Sequence, residues 1–208
     1  MITLCVISVN SVSAQVVFGV RAGVSSPISQ ITDRNEWAVT SDWKGVFGLE
    51  IGPVLYYSLK HNFYLNSGLM YSMKTFKYTA VFEFSGVLDE QQSNTNMSYL
   101  EIPLYIGYRI PVGKLNTYIQ AGPYVGYNLY AKVTWTSDYD SGTDDFKDRL
   151  KPFNAGLGIM YGLDLQRFKI EMGYQYGLTD NNTESDTFYD VRITSKFSSL
   201  FLGVSYVF

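Results

Sequence analysis

Eight separate stretches of this chain alternate apolar and polar residues with a period of two, and that pattern limits the fold more than any other feature of it. Successive side chains leave a β-strand on opposite sides, so a period of two marks a strand whose two faces meet unlike surroundings. The cleanest stretch sets Leu100, Ile102, Leu104, Ile106, Tyr108 and Ile110 against Glu101, Gly107 and Arg109. The same alternation runs through residues 16–25, 47–57, 63–74, 119–129, 156–165, 168–177 and 199–208. Beyond the first residues, no window approaches the ~18 consecutive apolar residues of a membrane helix. Eight is an even number, as an up-and-down barrel requires.

The connections also alternate. Long ones lie near Pro27–Trp43, Glu83–Asn96, Ser137–Lys151 and Thr179–Arg192. Short ones lie near Ser58–Asn62, Pro111–Asn116 and Asp164–Arg167. Strict alternation sends every long loop to one rim and every short turn to the other, together with both chain ends. Outer-membrane barrels have this plan, with short turns in the periplasm and long loops outside.

Alternation alone does not say which face looks outward, since a soluble barrel alternates with its apolar face inside. Three features favour the membrane. The polar face is built from Gly, Ser, Asn and Gln, whereas a water-exposed wall carries many more charges, and only 17% of all residues are charged. The strands are long enough for the ~9–11 residues that cross the hydrocarbon. Aromatic residues gather near strand ends, at Trp43, Tyr56, Tyr57, Tyr130, Trp135, Tyr174, Tyr176 and Tyr206, as interfacial girdles do. The expected architecture is therefore all-β: an eight-stranded antiparallel up-and-down transmembrane β-barrel.

Eight strands leave an interior just wide enough for side chains. The polar face then places Arg21, Arg109 and Lys169 inside with Glu50, Glu101 and Glu171. Charges in so narrow a space need partners, and three of each sign predict a structural ion-pair network in a filled lumen. A proton or ion path through the same residues is the alternative.

At the N-terminus, the apolar run Ile2–Val12 precedes Val12-Ser13-Ala14. Small residues at −3 and −1 fit signal-peptidase cleavage after Ala14. No Lys or Arg precedes Arg21, so the positive segment of such a leader is missing and a truncated leader over 1–14 is expected, with the barrel domain over 15–208. The single cysteine, Cys5, lies within the leader and lacks a lipobox. A net charge of −3 gives no footprint for nucleic acid.

Four segments carry a resemblance: Gly19-Val20-Arg21-Ala22-Gly23-Val24, Tyr99-Leu100-Glu101-Ile102-Pro103-Leu104, Ala121-Gly122-Pro123-Tyr124-Val125-Gly126, and the ending Leu202-Gly203-Val204-Ser205-Tyr206-Val207-Phe208. Together they resemble the outer-membrane β-barrel domain family common in Bacteroidota, which includes the PorT-like proteins. The resemblance implies fold and location; PorT-like members take part in type IX secretion. Tyr206 and the terminal Phe208 resemble the signal that barrel-assembly machinery reads in such proteins.

No enzyme chemistry emerges from the residues. The single histidine, His61, lies in a short turn on the wrong rim for hydrolysis at the cell surface. The acidic run 138–145 fails EF-hand spacing, because Gly142 stands at its fifth position; weak surface binding of Ca²⁺, or of a cation bridging lipopolysaccharide, is the alternative to a solvated acidic loop. The expectation is a non-enzymatic barrel without cofactor or metal. Its partners would be outer-membrane lipid and lipopolysaccharide, the barrel-assembly machinery during biogenesis, and a larger outer-membrane protein complex. The alternatives are a PorT-like secretion or assembly accessory, a small-solute channel, and an enzyme acting on lipid.

Overall fold

The structure, a computed structural model, describes residues 16–31, 38–84, 87–113, 115–136, 140–180 and 195–208, and for 29–31, 38–43, 80, 82–84, 87–90, 149 and 195 the backbone alone. The leader 1–14, the Trp43 side chain, Asp138 and most of the loop Thr179–Arg192 lie outside the described residues. In chain order the strands are β1 (Val16–Ile31), β2 (Ala38–Gly45), β3 (Gly48–Ser58), β4 (Phe63–Gly68), β5 (Met70–Phe84), β6 (Val87–Val112), β7 (Leu115–Thr136), β8 (Ser141–Asp145), β9 (Phe153–Leu165), β10 (Phe168–Gly177) and β11 (Ser195–Val207).

Eight staves close into a ring. β1 pairs with β3, β3 with β4 and β5, and both of these with β6. β6 then pairs with β7, β7 with β9, β9 with β10, and β10 with β11, which returns to β1; every pairing is antiparallel. β4 and β5 form one stave interrupted at Leu69. The register is unchanged across the gap, with Val54 opposite Gly68 and Ile51 opposite Tyr71. Pro53 on the facing strand has no N–H to donate, so a ladder bond is missing there; its carbonyl still accepts from Leu69 N at 3.0 Å.

The faces divide as the alternation predicts. On β6, Leu104 and Ile106 are each 54% exposed while Tyr105 between them is fully enclosed. The apolar outer band from Leu100 to Ile110 rises about 25 Å, at ~3.3 Å per residue and a strand tilt of ~40°. That covers the ~25 Å apolar height of an outer-membrane barrel. The turn between β3 and β4 puts His61 and Asn62 at positive φ, 58° and 66°. Two positive central residues make the primed hairpin turn whose twist suits flanking strands, and both residue types tolerate that region.

Two expectations are corrected. Three of the expected long loops contain strands, because the staves continue past the membrane zone as hairpins. β5 and β6 stay paired up to Phe84 opposite Val87, β2 lies on β5, and β8 lies on β7. Above the bilayer level these form a raised sheet in the order β2-β5-β6-β7-β8. The apolar outer face gives way there to Thr75, Lys77, Asn96, Lys132 and Thr134, so periodicity persists while composition turns polar. The acidic run accordingly belongs to strand β8 from Ser141 onward. The second correction is Tyr56, expected in an aromatic girdle. It points inward and is buried, because Tyr57 shares the outward phase of Pro53 and Leu55.

Charging the wall tests its sidedness. Leu104→Arg, at mid-height of the outer face, is expected to cost about 2–4 kcal/mol in reversible urea unfolding from lipid vesicles. Thr134→Arg on the raised sheet is expected to cost little.

Candidate functional site

The interior of the barrel concentrates the chain's polar chemistry, and glycine is what makes room for it. Inward-facing Gly107 and Gly162 each lie under the ring of a tyrosine from the adjacent strand, and Gly158 on β9 lies under Tyr105, which reaches over β7 from β6. A Cβ on any of them would collide with Tyr64, Tyr105 or Tyr118 respectively. The lumen is thus filled by tyrosines seated on glycines. The alternation places glycine, small polar residues and charges on this face, and Tyr64, Tyr99, Tyr105, Tyr118 and Tyr124 share it unannounced, all of them buried. The signal was present, since each stands in phase with the polar positions of its strand.

In the half nearer the short turns, Glu171 is the hub. Its Oε2 lies 2.8 Å from Arg21 Nε and accepts from Ser205 Oγ at 2.8 Å. Its Oε1 accepts from Arg21 Nη2 and from Gln120 Nε2, both at 3.2 Å. Tyr64 donates its hydroxyl to Gln120 Oε1 at 3.2 Å, and Arg21 also donates to Asn66. Charge-assisted bonds of this kind are the strong ones, and their number offsets the desolvation of both ions. Lys169 pairs with Asp164 and stands 5.3 Å and 5.2 Å from the rings of Tyr56 and Tyr118, a cation–π arrangement.

In the half nearer the long loops, Lys74 Nζ bonds Glu101 Oε1 at 2.7 Å, both side chains being buried, and lies 5.2 Å from the Tyr99 ring. Lys74 was absent from the expected ion pairs although it stands in the polar phase of its strand. Glu50 is buried in the same half, and its Oε1 has no hydrogen-bond partner among the described residues. Arg109 is half-buried at the short-turn end. Rather than pairing with a carboxylate, it donates to Ser58 Oγ at 3.3 Å and covers the Tyr64 ring at 5.0 Å. The six expected residues therefore all line the interior, but five of them fall into two separate clusters, completed by Lys74 in one and Asp164 in the other, and Arg109 stands apart.

Apolar layers close both clusters off. Val54, Tyr56, Tyr64, Met70, Tyr118 and Val207 pack together toward the short turns. Tyr105, Met160 and Phe201 pack across the middle. Phe76, Met97, Tyr99, Ala131, Leu150 and Phe197 pack toward the long loops. His61 is exposed in its turn, and no group of three or more His, Cys, Asp or Glu side chains placed to hold a metal ion occurs among the described residues. At the C-terminus Phe208 is 76% exposed on the outer wall. Its amide bonds the Phe18 carbonyl at 3.0 Å and its ring stacks edge-on with Tyr206 at 5.5 Å.

Against known proteins, the model of the outer membrane protein beta-barrel domain family matches residues 11–183. No curated protein matches the sequence. Several solved structures do. Neisserial surface protein A is 13% identical, the match covering 92% of this chain and 97% of that one at a TM-score of 0.47. Ail, the attachment invasion locus protein of Yersinia pestis, in complex with the heparin analogue sucrose octasulfate, is 14% identical, with 93% and 99% covered at 0.41. The outer membrane protein OprG from Pseudomonas aeruginosa is 14% identical, with 94% and 97% covered at 0.41.

Breaking the hub isolates a buried charge. Glu171→Leu strands the Arg21 guanidinium and is expected to lower the unfolding free energy by about 3–5 kcal/mol. The double variant Arg21→Leu/Glu171→Leu is expected to recover most of it. Folding free energies in detergent, compared around the double-mutant cycle, check both.

Proposed function

Since the chain belongs to the outer membrane beta-barrel domain family and so resides in the bacterial outer membrane, we propose that it is a non-enzymatic structural and interaction component that works through its outer surfaces. The observation that carries this reading is the interior, where three buried layers of mostly aromatic side chains interrupt the axis of the barrel. A lumen packed in this way serves stability, which leaves the wall and the raised sheet for contact with other molecules. That sheet offers a polar outer face on which Thr75 donates to Asn96 at 2.9 Å and Thr134 faces Thr143 at 3.3 Å. Such a firm, hydrogen-bonded surface suits docking to a larger outer-membrane complex or to a ligand outside the cell.

In this reading the short turns and both chain ends face the periplasm, and the raised sheet faces outward. Lipid and lipopolysaccharide cover the wall. The exposed Phe208, stacked on Tyr206, is the feature that assembly machinery engages during insertion. The segment Tyr99–Leu104 supports a narrower possibility within the same reading, an accessory of protein secretion or assembly like the PorT-like proteins it resembles.

Purified protein in planar bilayers is expected to show no steady open current. A stable conductance would overturn the filled-lumen reading. Extraction from native outer membranes in mild detergent is expected to retain a partner that is lost when Lys77 and Lys132, on the raised sheet, are changed to Glu.

A further inference from the structure

The charges inside the barrel balance overall but not locally. Among the described residues the lumen carries Arg21, Lys74, Arg109 and Lys169 against Glu50, Glu101, Asp164 and Glu171. The half toward the long loops holds two of the carboxylates, Glu50 and Glu101, and one cation, Lys74. Lys74 is committed to Glu101 Oε1. The register sets Glu50 opposite Ser72, two residues along β5 from Lys74. Lys74 and Arg21 both act on Glu50, but each is bonded to another carboxylate, Glu101 and Glu171, so the buried Glu50 has no cation of its own. An uncompensated ion in such surroundings is strongly disfavoured.

A second observation points the same way. Five oxygens of this region, on side chains at most 7% exposed, have no hydrogen-bond partner among the described residues: Glu50 Oε1, Ser72 Oγ, Glu101 Oε2, Asn128 Oδ1 and Asn154 Oδ1. They belong together. Asn154 and Glu101 both lie against Gly126, where a Cβ would collide with Asn154 Oδ1 and stand 3.2 Å from Glu101 Cγ. Asn128 stands opposite Tyr99, next along β6 from Glu101. Tyr105, Met160 and Phe201 close the space toward the short turns, and Phe76, Met97 and Phe197 close it toward the long loops.

We propose that these oxygens form a binding site for one sodium ion, held by Glu50 and Glu101 with neutral oxygens from Ser72, Asn128 and Asn154. An all-oxygen donor set selects a hard cation. The charge selects a monovalent one, because Lys74 already supplies one positive charge and a divalent ion would leave an excess. A proton on Glu50 would neutralise the site and supply one donor, which meets at most one of the two asparagine oxygens. The ion therefore serves as a structural counterion inside the upper half of the barrel.

The test is urea unfolding of the full chain in non-ionic detergent at fixed pH and ionic strength, with choline chloride exchanged for sodium chloride. Above the dissociation constant, a tenfold rise in sodium is expected to raise the folding equilibrium constant about tenfold. Glu50→Gln, which removes the excess charge without changing size, is expected to fold and to lose that dependence. Radiolabelled sodium is expected to bind the wild-type barrel at one per chain and to be displaced by unlabelled sodium but not by choline, a readout that needs no variant. Equal effects of sodium and choline, or a sodium dependence that survives Glu50→Gln, would overturn the site. Stability that ignores sodium and follows pH alone would overturn it too, and would make a proton the occupant.

Discussion

Everything in this molecule follows from the absence of water around its backbone. In hydrocarbon each unpaired N–H or C=O costs several kcal/mol. A sheet edge of ~10 residues would leave roughly ten such groups unpaired, so an open sheet cannot persist there. The seam between β1 and β11, from Gly19 opposite Val207 to Ile31 opposite Ser195, removes that edge. Once the ring is closed, one face of every strand must meet lipid and the other must fill the middle, and the period-two pattern is the sequence's answer to both demands.

Closure also explains the peculiar interior. A ring of eight staves is too narrow for a water channel and too wide to be filled by small residues alone. Tyrosines from some strands reach across to glycines on their neighbours, as Tyr64 does to Gly107 and Tyr118 to Gly162. Their hydroxyls and rings then become partners for the enclosed polar and charged groups: Tyr64 for Gln120 and Arg109, Tyr99 for Lys74, Tyr56 and Tyr118 for Lys169. Ionic and aromatic packing are thus one system, and the hub at Glu171 is where most of its bonds converge.

The staves were legible in the sequence because each carries its own pattern, independent of its neighbours. The position of Leu104 or Ile106 on the wall can be read from Leu100 to Ile110 alone. Pairing between side chains was less legible. Arg21 and Glu171 are far apart in the chain, and only the ring's register brings them together. Lys74 does not declare its partner locally, because Glu101 lies four residues out of register on the next strand, opposite Met70, while Lys74 itself stands opposite Met97. Tyr56 was misplaced by reading aromatic residues near strand ends as girdle without asking their phase. The raised sheet was hidden for a different reason. Thr, Asn and Gln on both faces of β5 and β6 above the bilayer read as loop composition, and hydrogen bonding to already formed strands below them decides the outcome.

The central claim is the sidedness of the wall. It is tested most directly by spin labels placed one at a time along β6, from Tyr99 to Val112, in lipid vesicles, with Cys5 replaced by Ser. Collision with oxygen, which concentrates in the bilayer, should rise and fall with a period of two and peak at Ile102, Leu104, Ile106 and Tyr108. Labels at those same positions colliding instead with a water-soluble nickel complex would contradict it.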